Sequence, residues 1–369
     1  MSKAYNKGEW SELYAFIKLL KDGRIYAADE KAERINDVFL PIIKIIREEQ
    51  ANEKKEFYTG ATIKIFLNGN EIKSFDSHLL DYYIGLMLPK IFTGSRNNSS
   101  TGAFQIDDMD QLMDDLGLRQ VKASSGEKVD IQMQIHDINT GYSPDVGFSI
   151  KSDVGSPPTL LNPGKNTRFR YKITGLSDEQ IREINAIDKT VEKEYMKARM
   201  SKLIEYADDI SMDCMLDSTY EDNLIMIDSA LPQIYGEMIL QHYLHINEGI
   251  YNCNELVDLV AQNNPMNYRR KDNYRYKIKK LLVASALGMT PGKAWDGMEA
   301  ATGGYIIIKK DGDILCYHLY NRNYFEEYLI NNTRFDRPSA TRYDFGYVFK
   351  EGSEAKIDLN VQVRFKPIK

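Results

Sequence analysis

The chain has 369 residues, room for two or three small domains or for one large domain with insertions. A hydrophobic share of 43%, with 24 Tyr and 14 Phe, supports a sizeable core and excludes a disordered chain. No apolar run approaches the roughly 18 residues that cross a bilayer, and the net charge of −6 argues against a diffuse electrostatic hold on nucleic acid.

The N-terminal MSKAYNKGEWSEL has no secretory apolar segment, so a cytoplasmic location is expected. Cys214, Cys253 and Cys316 are widely spaced and form no CxxC pair. They indicate neither a zinc site nor a disulfide framework and read as buried reduced thiols.

Residues 10–21 have helical periodicity, with Trp10, Leu13, Tyr14, Ile17 and Leu20 in one apolar stripe and Phe16 at its edge. Glu12 lies at the margin of that stripe, about 40° from Phe16 at roughly 100° per residue. Glu9 projects nearer the stripe but can precede the helix. Acids so placed either look into a cleft or sit solvated in the first turn, favoured by the helix dipole. Gly23 stops the helix. Residues 37–49 read as a second helix, with Pro41 in its first turn. TIKIFL and EIKSF, joined by Asn68-Gly69-Asn70, read as a hairpin. Residues 79–90 and 109–116 read as helices, with a loop of turn-formers at residues 94–101.

The stretch from residue 128 to residue 173 organises the rest. Val129, Ile131, Met133 and Ile135 alternate with Asp130, Gln132, Gln134 and His136, the period of a half-buried strand. Asn139-Thr140-Gly141 supplies a turn, and a second strand covers residues 146–151. Asp145 at its start and Lys151 near its end are an even number of residues apart, so both side chains face the same way. Such a pair is either an ion pair on a solvated face or the seat of a divalent metal and a polarised water. The metal reading makes this the catalytic hairpin of a nuclease. His136 is another candidate base and reads as structural. Gln132 and Gln134 flank the site on the polar face, Gln362 is a supporting candidate, and Asp153 is a reserve ligand.

Residues 176–205 are charged and periodic, hence helical, with Ser177 as N-cap. Further helices are expected at residues 231–245, 253–263 and 273–287. No long linker or repeat interrupts the chain. Residues 1–175 and 293–369 therefore read as one catalytic core, and residues 176–292 as a mainly helical insertion. Strand signals return in YIIIKK and ILCYHLY, joined by an Asp311-Gly312 turn. Residues 324–330 read as a short helix, and residues 343–349 and 357–365 as a final strand pair. In the last strand Ile357, Leu359, Val361, Val363 and Phe365 alternate with Asp358, Asn360, Gln362 and Arg364, which predicts one core face and one polar face.

Charge distribution counts for more than its total. Between residues 269 and 280, Arg269, Arg270, Lys271, Arg275, Lys277, Lys279 and Lys280 stand against Asp272 alone. Lys165, Arg168, Arg170 and Lys172 make a second basic stretch, while acids gather in residues 207–222. A chain so polarised suits a protein that meets DNA on one side. Phosphate contacts draw on Lys, Arg, Ser and Thr, and base edges on Arg, Asn and Gln. Thr159, Asn162, Lys165 and Arg168 follow directly on the catalytic strand. Asn321 with Arg322, and Arg337 with Ser339, Thr341 and Arg342, form further polar sets. Arg269 and Arg270 head the basic run, which suits the phosphate backbone.

Several stretches resemble the HpaII-type family of type II restriction endonucleases. They are KGEWSELYAFIKLL with YAADEK, VGFSIKSDVGSPPTLLN, KAWDGMEAATGGYIIIKKDGDILCYHLYNRN, RFDRPSATR and LNVQVRF, in order over nearly the whole chain. That family in turn resembles the PD-(D/E)xK nucleases. The likeness implies an α/β fold, a mixed sheet flanked by helices with the active site on a central hairpin, here with a helical insertion. It matches Pro144-Asp145 to the PD element and Ser149-Ile150-Lys151 to the (D/E)xK element. Ser149 departs from the pattern by lacking a carboxylate, which implies a ligand from a helix: Glu12, with Glu9 as the alternative. The resemblance thus implies Mg²⁺ held by Asp145, Glu12 and the main-chain carbonyl of Ile150, with Lys151 orienting the attacking water. The expected activity is Mg²⁺-dependent, site-specific cleavage of double-stranded DNA at a short palindrome such as CCGG. A homodimer on DNA is expected with it, the segment at residues 176–292 contacting DNA. The rival readings are a catalytically inactive DNA-binding module, against which the intact Asp145 and Lys151 speak, and a structure-directed repair nuclease.

Overall fold

A computed structural model describes residues 4–50, 52–94, 102–121, 129–154, 157–188, 190 and 192–366. Of the loop expected at residues 94–101, only Gly94 lies within them. The chain opens with α1 (Lys7–Asp22), β1 (Arg24–Ala28), β2 (Arg34–Glu48), β3 (Lys54–Tyr58), β4 (Thr62–Leu67), β5 (Asn70–Asp76), α2 (Leu79–Thr93) and α3 (Met109–Leu116). The central hairpin is β6 (Ile131–Ile135) and β7 (Asp145–Ser152), followed by β8 (Thr159–Leu161) and β9 (Arg168–Thr174). Then come α4 (Asp178–Ala186), α5 (Tyr195–Tyr206), β10 (Asp209–Met215), α6 (Ser218–Ile227), α7 (Leu231–Leu244), α8 (Cys253–Asn263) and α9 (Asp272–Leu287). The last part holds β11 (Gly304–Ile308), β12 (Ile314–Tyr317), α10 (Arg322–Asn332), β13 (Thr333–Asp336), α11 (Ala340–Tyr343), β14 (Val348–Glu351), β15 (Glu354–Asn360) and β16 (Gln362–Phe365).

The architecture is mixed α/β. Nine strands form the main sheet, in the order β1-β12-β11-β7-β6-β2-β3-β4-β5. β1 pairs with β12 in parallel and with β2 antiparallel, so the strands from β1 round to β2 close into a ring, with β3, β4 and β5 extending from it. The closure is the work of β2. Its first part, as far as Pro41, lies along β1; its second part lies between β6 and β3. Register shifts at Tyr26/Ala27 and at Ile42/Lys44 bend the strands at that changeover. Pro41, which has no N–H to give to a ladder, occurs there.

This strand replaces the helix expected at residues 37–49. Ile42, Ile43, Ile45 and Ile46 are β-branched, which favours a pleated backbone. Its second part is paired on both sides and holds the buried Ile42, Ile45, Ile46 and Arg47, so the sequence there lacks the period of two that would identify a strand.

Alternate residues of the central strands enter two separate cores. Tyr305 and Ile307 of β11 join one, with Leu281, Leu282 and Leu329 of α9 and α10; Ile306 and Ile308 join the other, with Leu13, Phe16 and Ile17 of α1. α1 itself is well delimited. Asn6 and Glu9 form a reciprocal capping box, and Gly23 ends the helix at φ 62°, a left-handed conformation that glycine adopts without strain.

Two smaller sheets, β10-β9-β15-β14 and β13-β16-β8, complete the fold. They correct the expected final strand, which breaks at Val361 into β15 and β16, each in its own sheet. The polar face predicted for it is largely covered. Asp358 takes hydrogen bonds from Arg170 Nε at 2.8 Å and Nη2 at 3.2 Å, and the fully buried Asn360 accepts from Thr167 Oγ1 at 2.8 Å. Residues 343–349 are not a strand: Tyr343 ends α11, and β14 begins at Val348. Among the described residues, the segment 176–292 holds six helices and β10, which pairs with β9. Among the described residues no helix is long and apolar enough to cross a membrane.

Candidate active site

The hairpin forms as its alternation requires. β6 and β7 pair antiparallel, with Gln134 opposite Asp145, Gln132 opposite Gly147 and Ile131 opposite Phe148. Asp145 and Lys151 do share a face of β7. They stand at opposite ends of it, however: six residues along a strand at roughly 3.3 Å each put their Cα atoms about 20 Å apart. A single metal ion with ligand bonds of about 2 Å cannot be reached from both ends. The structure therefore does not bring Asp145 to Lys151. Asp145 is exposed near the turn of the hairpin.

A different carboxylate stands at the Lys151 end. Asp130 immediately precedes β6, and its N–H donates to the Phe148 carbonyl at 2.9 Å. Its Oδ2 accepts the Ile150 N–H at 2.7 Å and the Ser149 hydroxyl at 3.3 Å, and lies 4.0 Å from Lys151 Nζ. The Asp130 side chain is 12% exposed and that of Lys151 31%. An acid thus occupies the space beside Ser149 where the residue itself offers none, delivered across the ladder instead of along the strand. Sequence reasoning put Asp130 on the polar face and gave it no role. A signal was available: reflecting Ser149 through the Asn139-Thr140-Gly141 turn lands within one residue of Asp130.

The two helix candidates separate clearly. Glu9 is committed to the cap of α1, its Oε2 accepting the Asn6 N–H at 2.8 Å while its own N–H donates to Asn6 Oδ1 at 3.0 Å. Glu12, on the next turn, lines a small cavity together with Phe16, Ile46, Arg47, Val121, Asp130 and Ile131. Burial pushes the Arg47 guanidinium below its usual pKa, and the charges of Glu49 and Glu12 oppose that shift.

The other candidates have settled partners. His136 Nδ1 lies 2.9 Å from Ser143 Oγ, a contact within the hairpin. Gln134 Nε2 donates to the Ser143 carbonyl at 3.2 Å, whereas Gln132 is exposed. Asp153 is buried with Lys310 Nζ at 3.6 Å, and Gln362 donates to Thr159 Oγ1 at 2.9 Å.

The Asp130 carboxylate stands beside the Lys151 ammonium at one end of the hairpin and shares a cavity with the Glu12 carboxylate; oxygen donors next to a cation suit phosphate-ester chemistry. The sequence profile of the HpaII restriction endonuclease family matches residues 6–365. The chain belongs to that family. The type II restriction enzyme HpaII of Haemophilus parainfluenzae is 37% identical over 363 residues, 98% of this chain and 98% of its own. No solved structure matches. This member of the HpaII family is a type II restriction endonuclease, a site-specific enzyme that binds DNA.

Seen as a DNA-binding protein, the HpaII-family chain uses many of its basic residues on itself. On α9, Arg275 pairs with Glu327 at 2.8 Å, Lys279 with Glu327 at 2.9 Å, Lys277 with Asp228 and Lys280 with Glu326. Arg269 and Arg270, just before that helix, are exposed, although Arg270 lies 3.8 Å from Asp272. In the second basic stretch, Arg168 donates to the carbonyls of Lys165 at 3.0 Å and Asp344 at 2.7 Å, and Lys172 lies 3.5 Å from Asp213. Arg322 is clamped by Glu299 at 2.6 and 3.0 Å, and Arg337 lies 3.9 Å from Glu194. Ser339 caps α11, accepting the Arg342 N–H at 3.3 Å, while Asn321 precedes α10. Asn162, Lys165, Thr341 and Arg342 are exposed. Four of the seven bases between residues 269 and 280 are thus paired with acids of the fold, while Arg269 and Arg270 stay exposed.

Proposed function

We propose that this restriction endonuclease hydrolyses phosphodiester bonds with a divalent metal, Mg²⁺, at the Lys151 end of the hairpin, in a PD-(D/E)xK-type arrangement whose acidic residue is Asp130. The observation that carries the reading is the Asp130 carboxylate, which touches Ser149 and the Ile150 amide and stands 4.0 Å from Lys151 Nζ. Asp130 and Glu12 would hold the ion, joined by the Ile150 main-chain carbonyl. A strand residue's N–H and C=O point to the same side, and the Ile150 N–H points to Asp130. Two carboxylates and a carbonyl would present the oxygen donors that Mg²⁺ prefers.

A bound Mg²⁺ supplies charge neutralisation at the phosphate and a lowered pKa for its water. Lys151 orients the attacking water and offsets the charge that develops on the phosphoryl oxygens. Asp130 keeps the Lys151 ammonium at the site. Glu12, reaching over from α1, ties helix and hairpin into one rigid constellation. Asp145, remote from this end, has no part in the chemistry.

The target we propose is a short palindrome such as CCGG, by likeness to the relative named above, cut in the cytoplasm by a homodimer whose dyad matches that of the site. Phosphate contacts at residues 176–292 rest on the exposed Arg269 and Arg270. The deciding experiment digests a plasmid of known sequence with Mg²⁺ and sequences the ends. Ends at one short palindrome support the reading. Ends at no common sequence favour a repair nuclease, and binding without cutting in Mg²⁺ favours an inactive module.

A further inference from the structure

The cavity beside the proposed carboxylates has a third charged wall, to which the mechanism assigns no task. Arg47, on β2, is 5% exposed. Its Nη2 donates to the carbonyls of Gln120 at 3.0 Å and Val121 at 3.2 Å and to Glu49 Oε1 at 3.2 Å. Its guanidinium carbon lies 5.2 Å from the centre of the Phe16 ring, one turn along α1 from Glu12. Its Nε, in contrast, is buried with no hydrogen-bond partner among the described residues. A buried N–H without an acceptor is costly and uncommon. This one belongs to a side chain that lines the cavity with Glu12 and Asp130.

We propose that Arg47 is the positioning residue for Glu12: its contact with Phe16 sets α1 against β2, and its Nε–H is the donor that orients the Glu12 carboxylate when a divalent cation is bound. The proposal rests on the reading of Glu12 and Asp130 as metal ligands. Ligating carboxylates are commonly held by outer donors of this kind, and losing one costs about 10- to 100-fold in metal affinity. Arg47 suits the task because its anchoring bonds fall on Nη2. The guanidinium is fixed by one nitrogen while another stays available.

The test titrates Mn²⁺, an oxygen-compatible divalent probe, into the full-length protein without DNA and reads free Mn²⁺ by electron paramagnetic resonance. Asp130→Asn examines the underlying site and should abolish tight binding. Arg47→Met should weaken binding about 10- to 100-fold and add nothing in a Glu12→Gln background, because it acts through that carboxylate. Wild-type affinity in Arg47→Met, with Asp130→Asn deficient, overturns the inference and leaves the site standing. Additive losses with Glu12→Gln also overturn it, since they mark a merely structural role. Unchanged Mn²⁺ binding in both Asp130→Asn and Glu12→Gln overturns the inference and the site together. If Arg47→Met loses its cooperative melt, Arg47→Lys, which keeps the charge without the Nε–H, decides instead: weakened Mn²⁺ binding supports the proposal and wild-type binding overturns it.

Discussion

The Asp130 carboxylate accepts the Ile150 N–H at 2.7 Å from the neighbouring strand, twenty residues away in sequence. The same oxygen takes the hydroxyl of Ser149 at 3.3 Å. The acid that Ser149 lacks in its own side chain is therefore present in the space beside it, and the consequences can be measured.

Asp130→Asn should lower the cleavage rate by at least about 100-fold, since it removes a charge that acts on the metal and on Lys151. Asp145→Asn, at the far end of the strand, should cleave at close to the wild-type rate. Initial rates of plasmid nicking at saturating Mg²⁺ compare the two. Loss in Asp145→Asn with full activity in Asp130→Asn would return the site to the turn of the hairpin.

Ser149 is buried, 1% exposed, against that carboxylate. Ser149→Ala removes one neutral hydrogen bond and should cost about 1 kcal/mol. Ser149→Asp sets a second carboxylate against Asp130 in a covered position and should destabilise by about 3 kcal/mol or more in the absence of metal. Mg²⁺ should restore much of that loss. Thermal melts with Mg²⁺ and with EDTA read the difference; an Asp variant whose melt ignores Mg²⁺ would count against a metal at this position.

Arg269 and Arg270 are exposed, whereas Lys279 and Lys280 are spent on Glu326 and Glu327. If each of the two arginines neutralises one phosphate, each Ala substitution should reduce the slope of log K against log salt by about 0.9. Lys279→Ala should leave that slope unchanged and lower the melting temperature. Fluorescence anisotropy on a duplex across a salt series separates the two outcomes.

His242 lies buried on α7 between Tyr243 and Phe335, and burial pushes its pKa down from 6.5 to about 4. Between those values the unfolded chain takes up a proton that the folded chain refuses. The associated stability is therefore full above pH 6.5 and is lost progressively as pH falls towards 4, by up to about 3 kcal/mol. His242→Phe should flatten the pH dependence of urea unfolding between pH 7 and 4.5. A slope equal to wild type would mean that His242 is not the titrating group.

Much of the fold was legible because its signals are local. The stripe Leu13, Tyr14, Ile17 and Leu20 and the stop at Gly23 identify α1, and the alternation from Ile131 to Ile135 identifies β6. β2 escapes the periodic signal because Ile42, Ile43, Ile45 and Ile46 are apolar in consecutive pairs on the part of the strand that lies between two neighbours. The last strand was read as one because Val361 keeps the alternation even though the chain passes there from one sheet to another.

For function the division is sharper. The order of motifs, with Ser149-Ile150-Lys151 on a strand of the central hairpin, was written in the sequence, and it was enough to indicate a nuclease and to reveal the carboxylate missing at Ser149. Which acid fills that gap depends on cross-strand register and on how α1 crosses the sheet, relations that pair residues far apart along the chain. Periodicity reports which face a side chain takes but not how far along the strand it stands, so it joined Asp145 to Lys151, about 20 Å apart. The ladder joins Asp130 to Ser149 instead. The same folding pairs Lys279 and Lys280 with acids of α10, so part of the basic run that suggested a DNA-binding surface is neutralised in space.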